Sequence, residues 1–266
     1  VSRAGVRESP RGRGRKRRRG TGRVGGAVAA AASLLALSGC SMATVSPADA
    51  RGEPAAEGAV SLEGPDCDEL KCIALTFDSA PSEHTPELLE ILREEEVPVT
   101  FFLLGRNHVD TYPELVRRMV DEGHEVANHT WTHPRLTDLD RDEVREELSR
   151  TQEAIADLTG VTPTLMRPPQ GRTNDMVGEV SRELGLAQVL WSVTAKDYET
   201  TDSELIEERV LDGADRDGII LLHDLYDGTV PAVPGIIEQL KAEHYTFVTV
   251  TQLLAPGAAE PGRVYR

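Results

Sequence analysis

The chain has 266 residues, 39% of them hydrophobic and 4% aromatic. That is enough Val, Leu and Ile for one large domain, and too little aromatic surface for a dedicated glycan-stacking module. The formal charge of −16 is unevenly placed: residues 1–24 carry ten Lys/Arg against one acid, which leaves −25 on the remainder, a body ill-suited to strongly anionic polymers.

Taken alone, the basic run from Arg11 to Arg19 would fit a nucleic-acid patch. Its continuation argues for export instead, and no nucleic-acid partner is expected. Val24 to Gly39 is an uncharged stretch of small and apolar residues, 16 long, short of the ~20 residues of a membrane-spanning helix. Basic n-region, apolar h-region and small-residue exit together are the pattern of a secretory signal over residues 1–39. Leu37-Ser38-Gly39-Cys40 resembles the bacterial lipobox, which implies cleavage before Cys40, lipidation of its thiol and a domain held at the outer face of the membrane by that anchor alone. An ordinary secretory signal, an incidental Cys40 and a secreted product form the alternative.

Residues 40–65 are rich in Ala, Ser, Pro, Gly and Glu without apolar periodicity, and predict a flexible tether. Cys67 and Cys72 follow with four residues between them; in an exported chain such a pair reads as a disulfide rather than a metal knuckle. The folded domain is expected over residues 66–258, with a short tail at 259–266.

Within that domain short apolar runs alternate with helical patterns. Cys72 to Phe77 predicts a buried strand and Pro86 to Leu92 the helix behind it; Val99 to Leu104 predicts a second strand, with a helix from Pro113 to Glu122. Glu125 to Ala127 is a third short strand, ahead of a long charged helix from Arg141 to Leu158. Further strands are expected at Thr162–Met166, Ala187–Val193, Gly218–Leu222 and Phe247–Thr249. Seven strands, nearly all followed by a helix-sized segment, predict an α/β fold, a (β/α) barrel complete or missing a unit. No Gly-rich phosphate loop follows any strand.

Asp78, Asn128-His129, Arg167, Asp197 and His223 fall at or just past the carboxyl ends of predicted strands, the face where barrel active sites assemble. His129 and His133, at i and i+4, would share a helical face and bind one divalent metal. Asp78 and His223, each ending an apolar strand, are the carboxylate and imidazole that metal-assisted hydrolysis needs. Arg167 precedes Pro168-Pro169 and carries a fixed charge that can hold a neighbouring carboxylate as an anion, while Asp197 can hold an imidazolium in place.

Thr76-Phe77-Asp78-Ser79-Ala80-Pro81, His129-Thr130-Trp131-Thr132-His133, Arg167-Pro168-Pro169-Gln170-Gly171, Asp197-Tyr198 and Leu221-Leu222-His223 resemble the five ordered motifs of the polysaccharide deacetylase domain (NodB homology, carbohydrate esterase family 4). The resemblance spans Cys72 to Leu254. It implies a distorted (β/α) barrel with about seven strands, a divalent metal, often zinc, and hydrolysis of N-acetyl or O-acetyl groups on an extracellular polysaccharide; an acetylated aminosugar polymer such as peptidoglycan or chitooligosaccharide is the expected partner. By motif, Asp78 would be general base, His223 general acid, His129 and His133 metal ligands, Arg167 the residue positioning a carboxylate, Asp197 the partner of His223, and the backbone N–H of Gln170 an oxyanion donor.

The sequence departs from that pattern at Ser79, where the family has an Asp that serves as third metal ligand. A neutral hydroxyl is a poor substitute, although Glu83 or His84 lies close enough in sequence to replace it. Gln170 stands for a usual Tyr, Thr194 for a usual Asp and Tyr198 for a usual Trp. Three readings follow: an active deacetylase with a weakened or rearranged metal site, a weak or inactive homologue that binds cell-wall glycan, and other metal-dependent amide hydrolysis on the same barrel. Retention of Asp78 and His223 favours the first; Ser79 favours the second.

Overall fold

The structure, a computed structural model, describes residues 43–53 and 64–266. The expected signal and Cys40 lie outside the described residues, as does half of the expected tether, residues 40–42 and 54–63. All described residues fall in one compact unit, Ser41–Arg266.

In chain order the elements are β1 (Thr44–Val45), α1 (Pro47–Arg51), β2 (Lys71–Ala80), α2 (Thr85–Glu94), β3 (Thr100–Leu103), α3 (Pro113–Asp121), β4 (Glu125–Asn128), α4 (Arg141–Thr159), β5 (Leu165–Met166), α5 (Asp175–Glu183), β6 (Ala187–Val189), β7 (Val193–Thr194), α6 (Ser203–Gly213), β8 (Gly218–Leu222), α7 (Thr229–Ala242), β9 (Tyr245–Phe247), α8 (Val250–Leu254) and β10 (Val264–Tyr265). Every strand pairing is parallel. The path runs β1-β10-β6-β5-β4-β3-β2-β8-β7, with β9 beside the start of β2.

The single predicted strand Ala187–Val193 is two short strands. β6 pairs with β5 and β10, whereas β7, three residues later, pairs with β8 at the other end of the path. One chain segment therefore joins strand β6, inside one half of the path, to β7 at its far edge and curls the sheet into a distorted barrel, as the alternation of strands and helices predicted. Strand β2 lies at the centre, buried from Cys72 to Ala80, which is why it reads as a continuous apolar run. Helices cover the outside: Leu88, Leu89 and Leu92 of α2 and Val233, Ile236, Ile237 and Leu240 of α7 pack into the same core as Ile73, Leu75 and Phe77. Long α4 starts on an Asp140/Glu143 capping box and stops at Gly160, whose φ of 74° suits glycine. A disulfide joins Cys67 to Cys72 at the start of β2.

Two expectations from composition are corrected. The tether of residues 40–65 is ordered structure at 44–53: Ser46 caps α1, and Arg51, 7% exposed, bonds Asp68 (2.8 Å), Asp217 (2.9 and 3.1 Å) and the Leu253 carbonyl (3.0 Å). The tail of 259–266 supplies β10, inserted between β1 and β6. Strands of two residues and a helix of five are too short to generate a periodicity, and the order comes from tertiary pairing. Replacing Arg51 by Ala leaves Asp217 partly buried with only the more distant Arg216 (3.9 Å) as a cation, so Arg51→Ala should cost about 2–3 kcal/mol and lower the thermal midpoint by roughly 5–10 °C. An unchanged midpoint in calorimetry would show that the Arg51 side-chain bonds contribute nothing to the domain.

Candidate active site

The site is assembled at the carboxyl ends of the central strands. On β2, Thr76 and Asp78 are two residues apart and so project to the same side of the strand. Both meet Arg167, which follows β5 and is fully buried. Arg167 Nη1 donates to Asp78 Oδ1 (2.6 Å) and to Thr76 Oγ1 (2.7 Å), Nε to the Val189 carbonyl (3.1 Å) and Nη2 to the Leu190 carbonyl (3.3 Å). Its guanidinium also lies 3.9 Å from the centre of the Phe102 ring, a favourable cation–π placement. Thr76 in turn donates to the Ile220 carbonyl (2.6 Å). One oxygen of Asp78 is thus committed to the arginine, and the other, Oδ2, faces His129 Nε2 at 3.7 Å.

His129 follows β4 directly. Its Nδ1 is 2.8 Å from the Arg167 carbonyl, so Nδ1–H donates there and Nε2 keeps its lone pair for the site. The ring of His133 lies 5.0 Å away, centroid to centroid, inclined at 64°. The two imidazoles meet as expected, but not on a helix: Thr130 (φ 72°) and His133 (φ 61°) are both left-handed, and α4 begins only at Arg141. A tight loop, rather than helical spacing, brings them together. Burial is the largest influence on both rings and holds them neutral, His129 at about 4 despite the attraction of Asp78, and His133 below its usual value.

His223 follows β8. Asp197, buried, accepts three hydrogen bonds: from His223 Nδ1 (2.9 Å) and the His223 backbone N–H (2.6 Å), and from Thr229 Oγ1 (3.0 Å). Burial pulls the imidazole pKa down, but the hydrogen bond and charge of Asp197, with Asp78 behind them, raise it above the ordinary value. Nε2 is left to work in the site. Tyr198 and Tyr226 stand edge-on to the ring at 6.1 and 5.5 Å and border an open cavity of ≈ 620 Å³ with Asp197, Thr200 and Leu225.

Ser79 sits on a bulge in β2, where pairing with β3 shifts register between Asp78 and Ala80, and it is itself left-handed (φ 61°). A bulge of this kind re-aims one side chain into a site; here it carries a hydroxyl. His84 pairs with Asp227 (3.5 Å) and Glu83 is exposed, so neither takes the place of the missing carboxylate. Thr194 bonds the Lys196 N–H, while Arg167 is satisfied elsewhere. Gln170 is left-handed (φ 59°) in the turn after Arg167, and its side chain accepts from Arg135 Nε (2.9 Å).

Two neutral imidazoles with one nitrogen each available are suitable donors for a divalent cation. Among the described residues no group of three or more His, Cys, Asp or Glu could enclose one. The residues therefore fit a cation held by two histidines, with its remaining positions left to weaker oxygen donors. Thr76 and Thr229, which complete the hydrogen bonding of Arg167 and Asp197, were not singled out from sequence; for Thr76 the two-residue spacing to Asp78 was the available signal. Because Arg167 is buried with a single carboxylate, Arg167→Ala should destabilise the fold by about 3–5 kcal/mol by stranding Asp78, and adding Asp78→Ala should recover part of that loss. Equal stability of Arg167→Ala and the parent in urea titration would contradict the pairing.

A family model described as polysaccharide deacetylase matches residues 66–189. Peptidoglycan-N-acetylglucosamine deacetylase PgdA of Listeria monocytogenes is 40% identical over 192 residues, which are 72% of this chain and 40% of that protein. The chain thus spans about two fifths of the length of such relatives. A chitooligosaccharide deacetylase of Rhizobium leguminosarum bv. trifolii is 36% identical over 195 residues, 68% of this chain and 90% of the relative. Among solved structures, "T48 deacetylase with substrate" has a TM-score of 0.73 at 38% identity, over 76% of this chain and 100% of that one. A family 4 carbohydrate esterase from Streptomyces lividans with acetate gives 0.65 at 36%, over 72% and 98%. A mutant of a family 4 pseudoenzyme with restored enzymatic activity gives 0.66 at 31%, over 70% and 68%.

Proposed function

The chain belongs to the polysaccharide deacetylase family, carbohydrate esterase family 4, and from that premise we propose that it hydrolyses acetyl groups on an acetylated aminosugar polymer outside the cell, with peptidoglycan as the first candidate. The observation that carries this reading is the joint presence of a base and an acid, each held by its own buried partner: Asp78 by Arg167 and His223 by Asp197. A groove used only for binding has no need of either pairing.

The chemistry follows from the side chains. Asp78 Oδ2, the oxygen not bound to Arg167, accepts a proton from water as the water oxygen attacks the acetyl carbon. Arg167 fixes the orientation of the carboxylate and supplies its counter-charge. His223, whose Nδ1–H is held by Asp197, delivers a proton from Nε2 to the departing nitrogen as the carbon–nitrogen bond breaks, giving acetate and a free amine. The backbone N–H of Gln170 is the proposed donor to the carbonyl oxygen in the tetrahedral stage. His129 and His133 would hold a divalent cation, for which zinc is proposed; when bound it supplies Lewis-acid polarisation of the acetyl group. Tyr198 and Tyr226 offer ring faces to the sugar. Export by the signal over residues 1–39, with Cys40 as a lipid anchor, would place the domain beside the cell wall.

Ser79 supports a second reading, a weak or inactive homologue that retains glycan binding. Acetate release from peptidoglycan and chitooligosaccharide separates the two. The hydrolase reading expects release by the natural chain, abolished in His223→Ala, with Ser79→Asp tightening zinc; release only after Ser79→Asp would favour the binding reading. The pH profile is a further check. The acid must be protonated, and its pKa is raised, so activity should persist past the ordinary imidazole range and fall as pH climbs through the raised value. Asp197→Asn removes the lifting charge and should move that alkaline limb to lower pH; an unmoved limb would assign it to another group.

A further inference from the structure

The five-residue segment His129–His133 makes unusual use of its backbone. Each N–H from residue 130 to 133 is satisfied by a side chain. Thr130 N donates to Asn128 Oδ1 (2.8 Å) and His133 N to Thr130 Oγ1 (3.1 Å), both local bonds. The two central donors, Trp131 N (2.9 Å) and Thr132 N (2.7 Å), converge on one oxygen of Glu147 in α4, whose second oxygen accepts from Thr132 Oγ1 (2.7 Å). Successive N–H groups aimed at one point form an anion-binding concavity, and here the chain fills it with its own carboxylate.

That carboxylate sits between the two left-handed residues, Thr130 and His133, that bend the loop. Non-glycine residues in that region cost of order 1–3 kcal/mol each and persist only where surrounding contacts impose them. Helix α4 also receives Asn128 Nδ2 on the Leu148 carbonyl (2.8 Å) and sets the Arg150 guanidinium 4.0 Å over the Trp131 ring. Gly105 packs against the same ring, where a Cβ would come within 2.1 Å, and its N–H donates to the Thr130 carbonyl (3.1 Å). Asn128, Thr130 and Gly105 act through the loop or its neighbours; Glu147 alone brings an ionisable acceptor from another element.

We propose that Glu147 is the positioning residue of the histidine pair: it holds the 129–133 loop in the bend that brings the His133 ring to His129. It touches neither the reacting atoms nor the imidazoles. The inference rests on the reading of His129 and His133 as a cation site, and it places the control of that site on the outer helix. Because one oxygen accepts both N–H groups while the other meets a hydroxyl able to turn either way, an amide of the same length can serve. A carboxylate one methylene shorter cannot reach.

The test is zinc affinity of the full chain by competition with a chromophoric chelator, paired with amide exchange and thermal midpoints. Glu147→Ala and Glu147→Asp should weaken zinc binding about 10–100-fold and expose the Trp131 and Thr132 amides, while Glu147→Gln stays within about threefold of the parent with those amides protected. Parent-like zinc affinity and protected amides in Glu147→Asp would overturn the proposal, as would loss of both in Glu147→Gln, which would make charge the operative property. Should Glu147→Ala fail to fold, the Asp and Gln variants decide. A parent that takes up no zinc refutes the cation reading itself; exchange at Trp131, Thr132 and His133 then judges the positioning role on its own.

Discussion

The fold and the site share one constraint, the burial of Arg167. A guanidinium removed from water is tolerable only if its donors are paired and its charge is met, and the hydrogen-bond partners here come from two places on the barrel. Thr76 and Asp78 belong to β2, and the Val189 and Leu190 carbonyls lie where β6 breaks before β7. Holding them in register around one cation brings the end of β2 to the point at which the barrel closes. The same residue's own carbonyl orients His129. Asp78, the histidine pair and the barrel closure are consequently linked through a single side chain.

Ser79 belongs to the same strand end. Its bulge and left-handed backbone are those of a position built to present a ligand, yet its hydroxyl carries no charge. The surroundings have not collapsed or been refilled: His129 and His133 remain adjacent, and Asp78 still faces them. A site that keeps its geometry while losing one anionic donor should bind cations less tightly, with water or substrate oxygen completing the coordination. The solved mutant of a family 4 pseudoenzyme with restored enzymatic activity belongs to the same family, whose barrel thus carries pseudoenzymes as well as deacetylases. For this chain the intact Asp197–His223 pair is the reason to favour turnover.

Much of this was legible in the sequence because the buried strands are apolar runs ending in a polar residue: Cys72–Phe77 before Asp78, and Ile219–Leu222 before His223. What was not legible depends on tertiary pairing. β1, β7 and β10 have two residues each and carry no period. Arg51 looks like a linker residue until Asp68 and Asp217 are seen around it. The histidine spacing correctly implied proximity for an incorrect reason, since two left-handed residues, not a helical turn, bend the segment. Glu147 gave no sign at all, because an acid on a charged helix face looks the same whether it meets solvent or a loop from β4.

The central claim is that His129 and His133 form one cation site next to Asp78. The most direct measurement is a zinc titration of the natural chain followed through the imidazole nitrogen resonances of its histidines. The Nε2 signal of His129 and a ring nitrogen of His133 should move together and saturate at one equivalent, with His84 and His124 unmoved. Saturation at His84, or movement of only one of the pair, would contradict it.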